Sequence, residues 1–288
     1  EGETVLHLRG YGWQDREARL PFSSRASLVR WASVSKTLTA VAALRAAGRG
    51  ELDLDAELGG IVAGYAPPTQ YVVPDSSGTG YRLEPLPAPA KITVRLLLAH
   101  LAGIRHYENG TGRPVDPPAA LADDPGSNTG IRWAIDYWKD EPLVSPPGRE
   151  YHYSSYGFNL AGAALEGAAG KGYWELLRAE IAQPLGLAAL QPDYQWAPIP
   201  GRAAGYARDE STGAIGRDAD ADVSWKLPAG GFISSARDML RFCSALLDGS
   251  LLTPSQKAEA WTEQRDAAGK GTGYGLGFEL GARHGRRR

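Results

Sequence analysis

The stretch Ala32-Ser33-Val34-Ser35-Lys36-Thr37-Leu38-Thr39 decides what fold this sequence forms. Past Ser33, Leu38, Val41, Ala42 and Arg45 recur at spacings of three and four, and Gly48 and Gly50 stop the run. That pattern predicts a helix starting at or beside Ser33. An offset of three puts Ser33 and Lys36 on one face, one turn apart, so the amine reaches the hydroxyl. A serine hydroxyl is a poor nucleophile until an adjacent base takes its proton, and a lysine serves as that base when its pKa is depressed. The unpaired N–H groups of a first helical turn also suit an oxyanion developing on a substrate carbonyl. With 18 serines and 7 lysines in 288 residues, chance alone supplies about 0.4 such pairs. The competing reading is a helix cap with Lys36 solvated.

Before this helix, Leu28 to Trp31 reads as a short strand, and Thr4 to Arg9 alternates as an edge strand would before Gly10 and Gly12. After it, six prolines between Pro67 and Pro89, with Gly78 and Gly80, predict an extended loop, and a second runs from Gly110 to Gly130. Helical periodicity returns over Val94 to Leu101, Ile131 to Trp138, Tyr156 to Ala168 and Tyr173 to Ile181, the last closed by Pro184 and Gly186. Ser235 with Asp238 predicts a capped helix carrying Met239, Phe242 and Leu246, and Thr253-Pro254 predicts another. Tyr274 to Leu280 reads as a strand. The alternating Gly271, Gly273, Gly275 and Gly277 lack the spacing and following helix of a phosphate loop, so close sheet packing explains them better.

Composition bounds the function. Apolar residues make up 43% and charged residues 22%, as in a globular protein able to bury a sizeable core. A formal net charge of -2, with no basic stripe among aromatics, argues against nucleic acid as a partner. No stretch has the length and apolarity of a membrane span, and the first residues show no signal-peptide pattern. The single cysteine, Cys243, falls in an amphipathic helical segment and reads as a small buried hydrophobe.

A second chemical stretch is Tyr153-Ser154-Ser155, which follows the turn at Pro146, Pro147 and Gly148 and precedes a helix. A tyrosine beside a lysine can share its proton and act as general acid or base; the plainer alternative is a tyrosine packed at a helix entrance. Other chemistries find less support. G-x-S-x-G and G-x-x-x-x-G-K-[ST] do not occur, and His7, His100, His106, His152 and His284 lack metal-ligand spacing. His100 reads as a structural hydrogen-bonding residue.

In their order, these stretches resemble the penicillin-recognising, beta-lactamase-like superfamily. Ala32 to Thr39, followed by Gly50-Glu51-Leu52-Asp53-Leu54-Asp55, resembles the nucleophile helix and its exit in class C beta-lactamases, D-alanyl carboxypeptidases and related esterases. Thr93 to Ile104 is similar to the helix and turn after the family's first insertion, and Pro147-Gly148 with Tyr153-Ser154-Ser155-Tyr156-Gly157 to its tyrosine motif. Ala229-Gly230-Gly231-Phe232-Ile233-Ser234-Ser235 with Asp238 resembles the segment before a late helix. Leu101 to Glu108 is most similar to the mitochondrial serine beta-lactamase-like subgroup and its bacterial relatives.

The resemblance implies an α+β fold within one catalytic domain over residues 1–288. An antiparallel sheet lobe flanked by helices, from about residues 1–32 and 230–288, packs on a mostly helical lobe from about 33–229, with the cleft between them. It implies Ser33 as acylated nucleophile, Lys36 and Tyr153 as proton handlers, and Ser155 and Trp225 as substrate contacts, with Trp225 equally a core residue. No cofactor is implied; the substrate class is a small ester, peptide or beta-lactam, and the location periplasmic or secreted. Two departures stand out. Ser155 occupies a position where the family commonly has Asn. The family's third motif, Lys or His followed by a small residue and Gly, is not matched by His284-Gly285, because Ala282 to Arg288 reads as a basic turn. The motif-bearing strand and a last helix are then expected beyond Arg288, and a leader and a further strand ahead of Glu1. An open sheet edge would invite self-association, and the alternative function is a catalytically silent scaffold that keeps the fold.

Overall fold

The computed structural model describes residues 5–75, 80–87, 90–107, 131–218, 221–283 and 286–287. The chain enters through an antiparallel pair, β1 (Trp13–Asp15) and β2 (Leu20–Pro21), followed by β3 (Val29–Arg30). No strand forms over Val5 to Arg9. Val5 and Leu6 are 52% and 81% exposed, and alternation specifies a strand only where one face finds apolar cover.

After β3 a one-turn 3-10 helix (Ala32–Val34) runs directly into α1 (Ser35–Gly48). The three-and-four spacing suggested one apolar face, yet α1 is buried nearly all round, from Leu38 to Leu44 without a break. Its alanines are the reason. A helix with small side chains on every side can be surrounded at short range. A Cβ on Gly277 would stand 2.3 Å from that of Ala40, so this glycine with φ of +82° is where another segment touches the helix. Near the other end of α1, the Gln256 side chain donates to the Leu44 carbonyl at 2.8 Å and ties its own later segment to the helix.

The region from Pro67 to Pro89 is not loop throughout. β4 (Gln70–Pro74) and β5 (Tyr81–Pro85) pair antiparallel, with both prolines at strand ends, where a missing N–H is tolerated. The expected loop from Gly110 to Gly130 lies outside the described residues. Then come α2 (Val94–Leu98), α3 (Arg132–Ile135), α4 (Ser155–Ala169) and α5 (Tyr173–Leu177), the last continuing as a π-turn over Arg178–Ala182. Caps set the starts. Thr93 accepts from Leu96 N and Ser154 from Gly157 N, while Gly170, left-handed, ends α4. β6 (Gln191–Pro192), the hairpin of β7 (Tyr206–Arg208) and β8 (Ile215–Arg217), α6 (Leu227–Gly230) and β9 (Phe232–Ser234) follow. α7 (Ala236–Asp248) begins at Ser235, and α8 (Pro254–Ala260) begins at a full capping box of Thr253 and Gln256. β10 (Ala282–Arg283) and β11 (Arg286–Arg287) pair where a basic turn was expected.

The architecture is α+β. Its largest described sheet is antiparallel with the order β3-β9-β6, and β6 joins it from the middle of the chain. Arg30 opposes Ile233 across the ladder, and Trp31 N continues it to the Phe232 carbonyl at 2.8 Å. Asp193, fully buried beside β6, receives both Arg30 and Arg202, tying the two outer strands together. A buried carboxylate persists only when paired in this way.

Two expectations are corrected here. Tyr274 to Leu280 is not a strand but a tight turn closed by a single bridge, Tyr274 to Glu279. Gly275 and Gly277 within it pack on the Ala260 carbonyl and on α1, so its glycines serve close approach to helices, not to a sheet. Cys243 is exposed, because it lies on the outer face of α7 while Phe242, Ala245 and Leu246 take the buried one.

Candidate active site

The nucleophile candidate sits where strand becomes helix. Trp31 is still bonded to β9, and Ala32 takes a φ of +46°, in the left-handed region that a side chain disfavours. Such strain persists only where surrounding structure fixes it. Gly230 supplies part of that fixing, since a Cβ there would lie 3.5 Å from the Ala32 backbone. The turn leaves Ser33 exposed at the start of the helix, with Ser35 and Lys36 buried behind it.

Lys36 is 1% exposed. Its Nζ lies 3.3 Å from Ser33 Oγ, 3.1 Å from Ser155 Oγ and 2.8 Å from the Ala229 carbonyl. These partners come from the 3-10 turn ahead of α1, the first residue of α4 and α6, so the site exists only where separate elements meet. The rings of Tyr153 and Phe158 stand 4.8 and 5.6 Å from the same nitrogen. No carboxylate is among these partners. Burial, with the charge of Lys226 second, holds the Lys36 ammonium down from 10.5 to about 7.

A neutral amine matches this partner set. Its two N–H bonds go to the Ala229 carbonyl and Ser155 Oγ, and its lone pair is left for the Ser33 hydroxyl proton. Tyr153 completes the arrangement from the opposite side, its hydroxyl donating to Ser33 Oγ at 2.8 Å. Burial pushes the Tyr153 phenol above its usual range, against the opposing effect of this bond to Ser33, and keeps it protonated as a donor.

The predicted residues therefore divide. Tyr153, Ser33, Lys36 and Ser155 are linked in that order by a chain of hydrogen bonds. Trp225 does not join them. It is 6% exposed, packs beside Tyr107 and Tyr156, donates from its indole to the Asp222 carbonyl and accepts at its own carbonyl from Asn159. That low exposure favours the core reading of Trp225. The sequence reading gave no role to Lys226, whose Nζ stands 5.0 Å from the Tyr107 ring and whose charge reaches Lys36. It gave none to His106 either, whose ring lies 5.4 Å from that of Tyr153. Neither carries a local pattern that could have flagged it. Among the described residues, no group of three or more His, Cys, Asp or Glu is arranged to hold a metal ion, and no helix is long and apolar enough to cross a membrane.

A family model described as Beta-lactamase matches residues 1–287. The chain is 26% identical over 300 residues to the mouse (Mus musculus) Serine beta-lactamase-like protein LACTB, mitochondrial, covering 83% of this chain and 51% of that one. It is 30% identical over 309 residues to Esterase EstB of Burkholderia gladioli, covering 95% and 71%. Among solved structures, the octameric penicillin-binding protein homologue from Pyrococcus abyssi superposes with a TM-score of 0.72 at 22% identity, over 99% of this chain and 60% of that one. The chain thus spans about half the length of the mitochondrial relative.

Proposed function

Because the chain belongs to the beta-lactamase family, we propose that it is a serine hydrolase acting on ester or amide carbonyls through an acyl-enzyme on Ser33. One observation carries this reading: Ser33 Oγ lies between a buried amine with a pKa of about 7 and a phenol that donates to it. Ser33 Oγ attacks the carbonyl carbon as its proton passes to Lys36 Nζ. As the tetrahedral oxyanion collapses, the bond to the leaving group breaks, and that group takes the phenolic proton of Tyr153. The Lys36 ammonium then reprotonates Tyr153, and the neutral amine is restored. Water, deprotonated by the same pair, attacks the acyl carbon and releases the acid, returning the proton to Ser33. Ser155 keeps the amine aimed by accepting one of its N–H bonds.

Residues 1–288 act in this reading as one catalytic domain, a sheet lobe of about 1–32 and 230–288, to which β6 adds a strand from the middle of the chain, set on a mostly helical lobe from the rest of about 33–229. The name of the Burkholderia relative supports small esters as the first substrates to try. A catalytically silent scaffold would leave the buried, carboxylate-free lysine without a reason. The octameric homologue and the exposed Trp13, Leu20 and Val29 support self-association as a further property, read by light scattering. The decisive experiment is intact-protein mass after treatment with a fluorophosphonate, beside Ser33→Ala. One adduct on the parent and none on the variant is the expected result; no adduct on either overturns the reading.

A further inference from the structure

The stretch from His100 to Tyr107 grips the Tyr153 loop through bonds that the proton relay does not use. His100 is 2% exposed and left-handed, with φ of +58°. Its carbonyl accepts from His152 N at 2.9 Å. Its ring Nδ1 accepts from Ser154 N at 3.0 Å. Ser154 Oγ in turn donates to the Arg105 carbonyl at 2.6 Å. His106, half-buried, takes the next amide, its Nδ1 accepting from Ser155 N at 3.2 Å. Between these anchors the Tyr153 ring is flanked by both imidazoles, at 4.4 Å from His100 and at 5.4 Å, edge-on, from His106.

We infer that His100 and His106 are positioning residues, a pair of imidazoles that clamps the Tyr153-to-Ser155 backbone so that the phenol meets Ser33 and the Ser155 hydroxyl meets Lys36. This rests on the hydrolase reading of Ser33. Each ring works through an unprotonated Nδ1, which places its single proton on Nε2. In His100 that Nε2 is buried with no hydrogen-bond partner among the described residues, so the ring stays neutral at the expense of an unsatisfied donor. Burial first, then Lys36 and His106, hold its pKa well below 6.5. The leverage is geometric. The clamped segment carries both the 2.8 Å bond from Tyr153 to Ser33 and the 3.1 Å bond from Lys36 to Ser155. Freeing one amide loosens both at once.

Asparagine is the discriminating replacement, since its side-chain oxygen can stand in for Nδ1 and it tolerates left-handed backbone. Leucine keeps bulk and removes the acceptor. The test compares H100N, H100L, H106N and H106L in the full chain by ester turnover and urea unfolding, and reads the ring tautomers of the parent by 15N NMR. His106→Leu should lower kcat by about 10-fold to 100-fold, the scale of an ångström-sized misplacement of a catalytic group. KM and the unfolding midpoint should stay near the parent's, and His106→Asn should recover most of the loss. Both parent rings should carry the proton on Nε2. If His100→Leu does not fold, the His106 pair decides. A parental kcat in His106→Leu, or a proton on Nδ1 of either ring, overturns the clamp. Should the parent fail to acylate at all, the hydrolase reading fails, and the tautomers still judge the clamp.

Discussion

Replacing Lys36 by Met tests the state of the amine without any need for turnover. In the unfolded chain this lysine has its ordinary affinity for protons, whereas burial and Lys226 bring it from 10.5 to about 7 in the fold. Between those two values the unfolded state binds more protons than the folded one, so stability rises with pH across that window. The destabilisation is fully present below pH 7 and fades as pH approaches 10.5. At about 1.36 kcal/mol per decade of proton affinity, it amounts to roughly 4 kcal/mol at pH 7 and less than about 1 kcal/mol at pH 10. Methionine fills much of the same aliphatic space with no ionisable group. It also leaves the Ala229 carbonyl and Ser155 Oγ without the N–H bonds they now accept, at about 1–3 kcal/mol each. That loss does not vary with pH, so the slope isolates the amine. Urea unfolding of parent and variant should show the variant's relative stability falling by about 3 kcal/mol from pH 7 to pH 10. A difference that stays flat would mean an ordinary protonated lysine and would refute the neutral-amine base.

Tyr153→Phe removes the donor to Ser33 Oγ and should lower acylation about 100-fold to 10,000-fold, read as the burst with a chromogenic ester, while far-UV circular dichroism stays unchanged. Lys226→Met removes the like charge beside Lys36; the pH at which acylation reaches half its plateau should move upward, and an unmoved midpoint would separate Lys226 from the base. Gly277→Ala should destabilise the fold by about 2–4 kcal/mol, since the added carbon meets Ala40 at 2.3 Å on a backbone with φ of +82°; chemical denaturation measures it. Cys243 should react with an aromatic disulfide reagent in the native state, and only slowly at neutral pH, because partial burial raises its thiol pKa.

Much of the fold was legible because it rests on local rules. The helix beginning beside Ser33, the caps at Ser235 and Thr253 and the glycine that ends α1 follow from 3.6-residue periodicity and from side chains bonding to backbone a turn away. The misreadings share a cause. Alternation at Thr4 to Arg9 and the run from Tyr274 to Leu280 look like strands in isolation, but a strand needs a partner ladder, and pairing lies outside local pattern. Cys243 was misjudged by residue type because which face of α7 is buried depends on what packs there.

By itself the sequence determined the order of its chemical stretches and the one-turn spacing of Ser33 and Lys36, since the first is chain order and the second is set within one continuous helical run from the 3-10 turn into α1. Tertiary structure alone decided what those residues are. Tyr153 reaches Ser33 across 120 positions of chain, and the Ala229 carbonyl reaches Lys36 across 193. The amine is held near neutrality because α4 and α6 remove water from it and bring no carboxylate in exchange. Desolvation depends on every element packed around a group, and a proton affinity is therefore a property of the fold before it is a property of the residue.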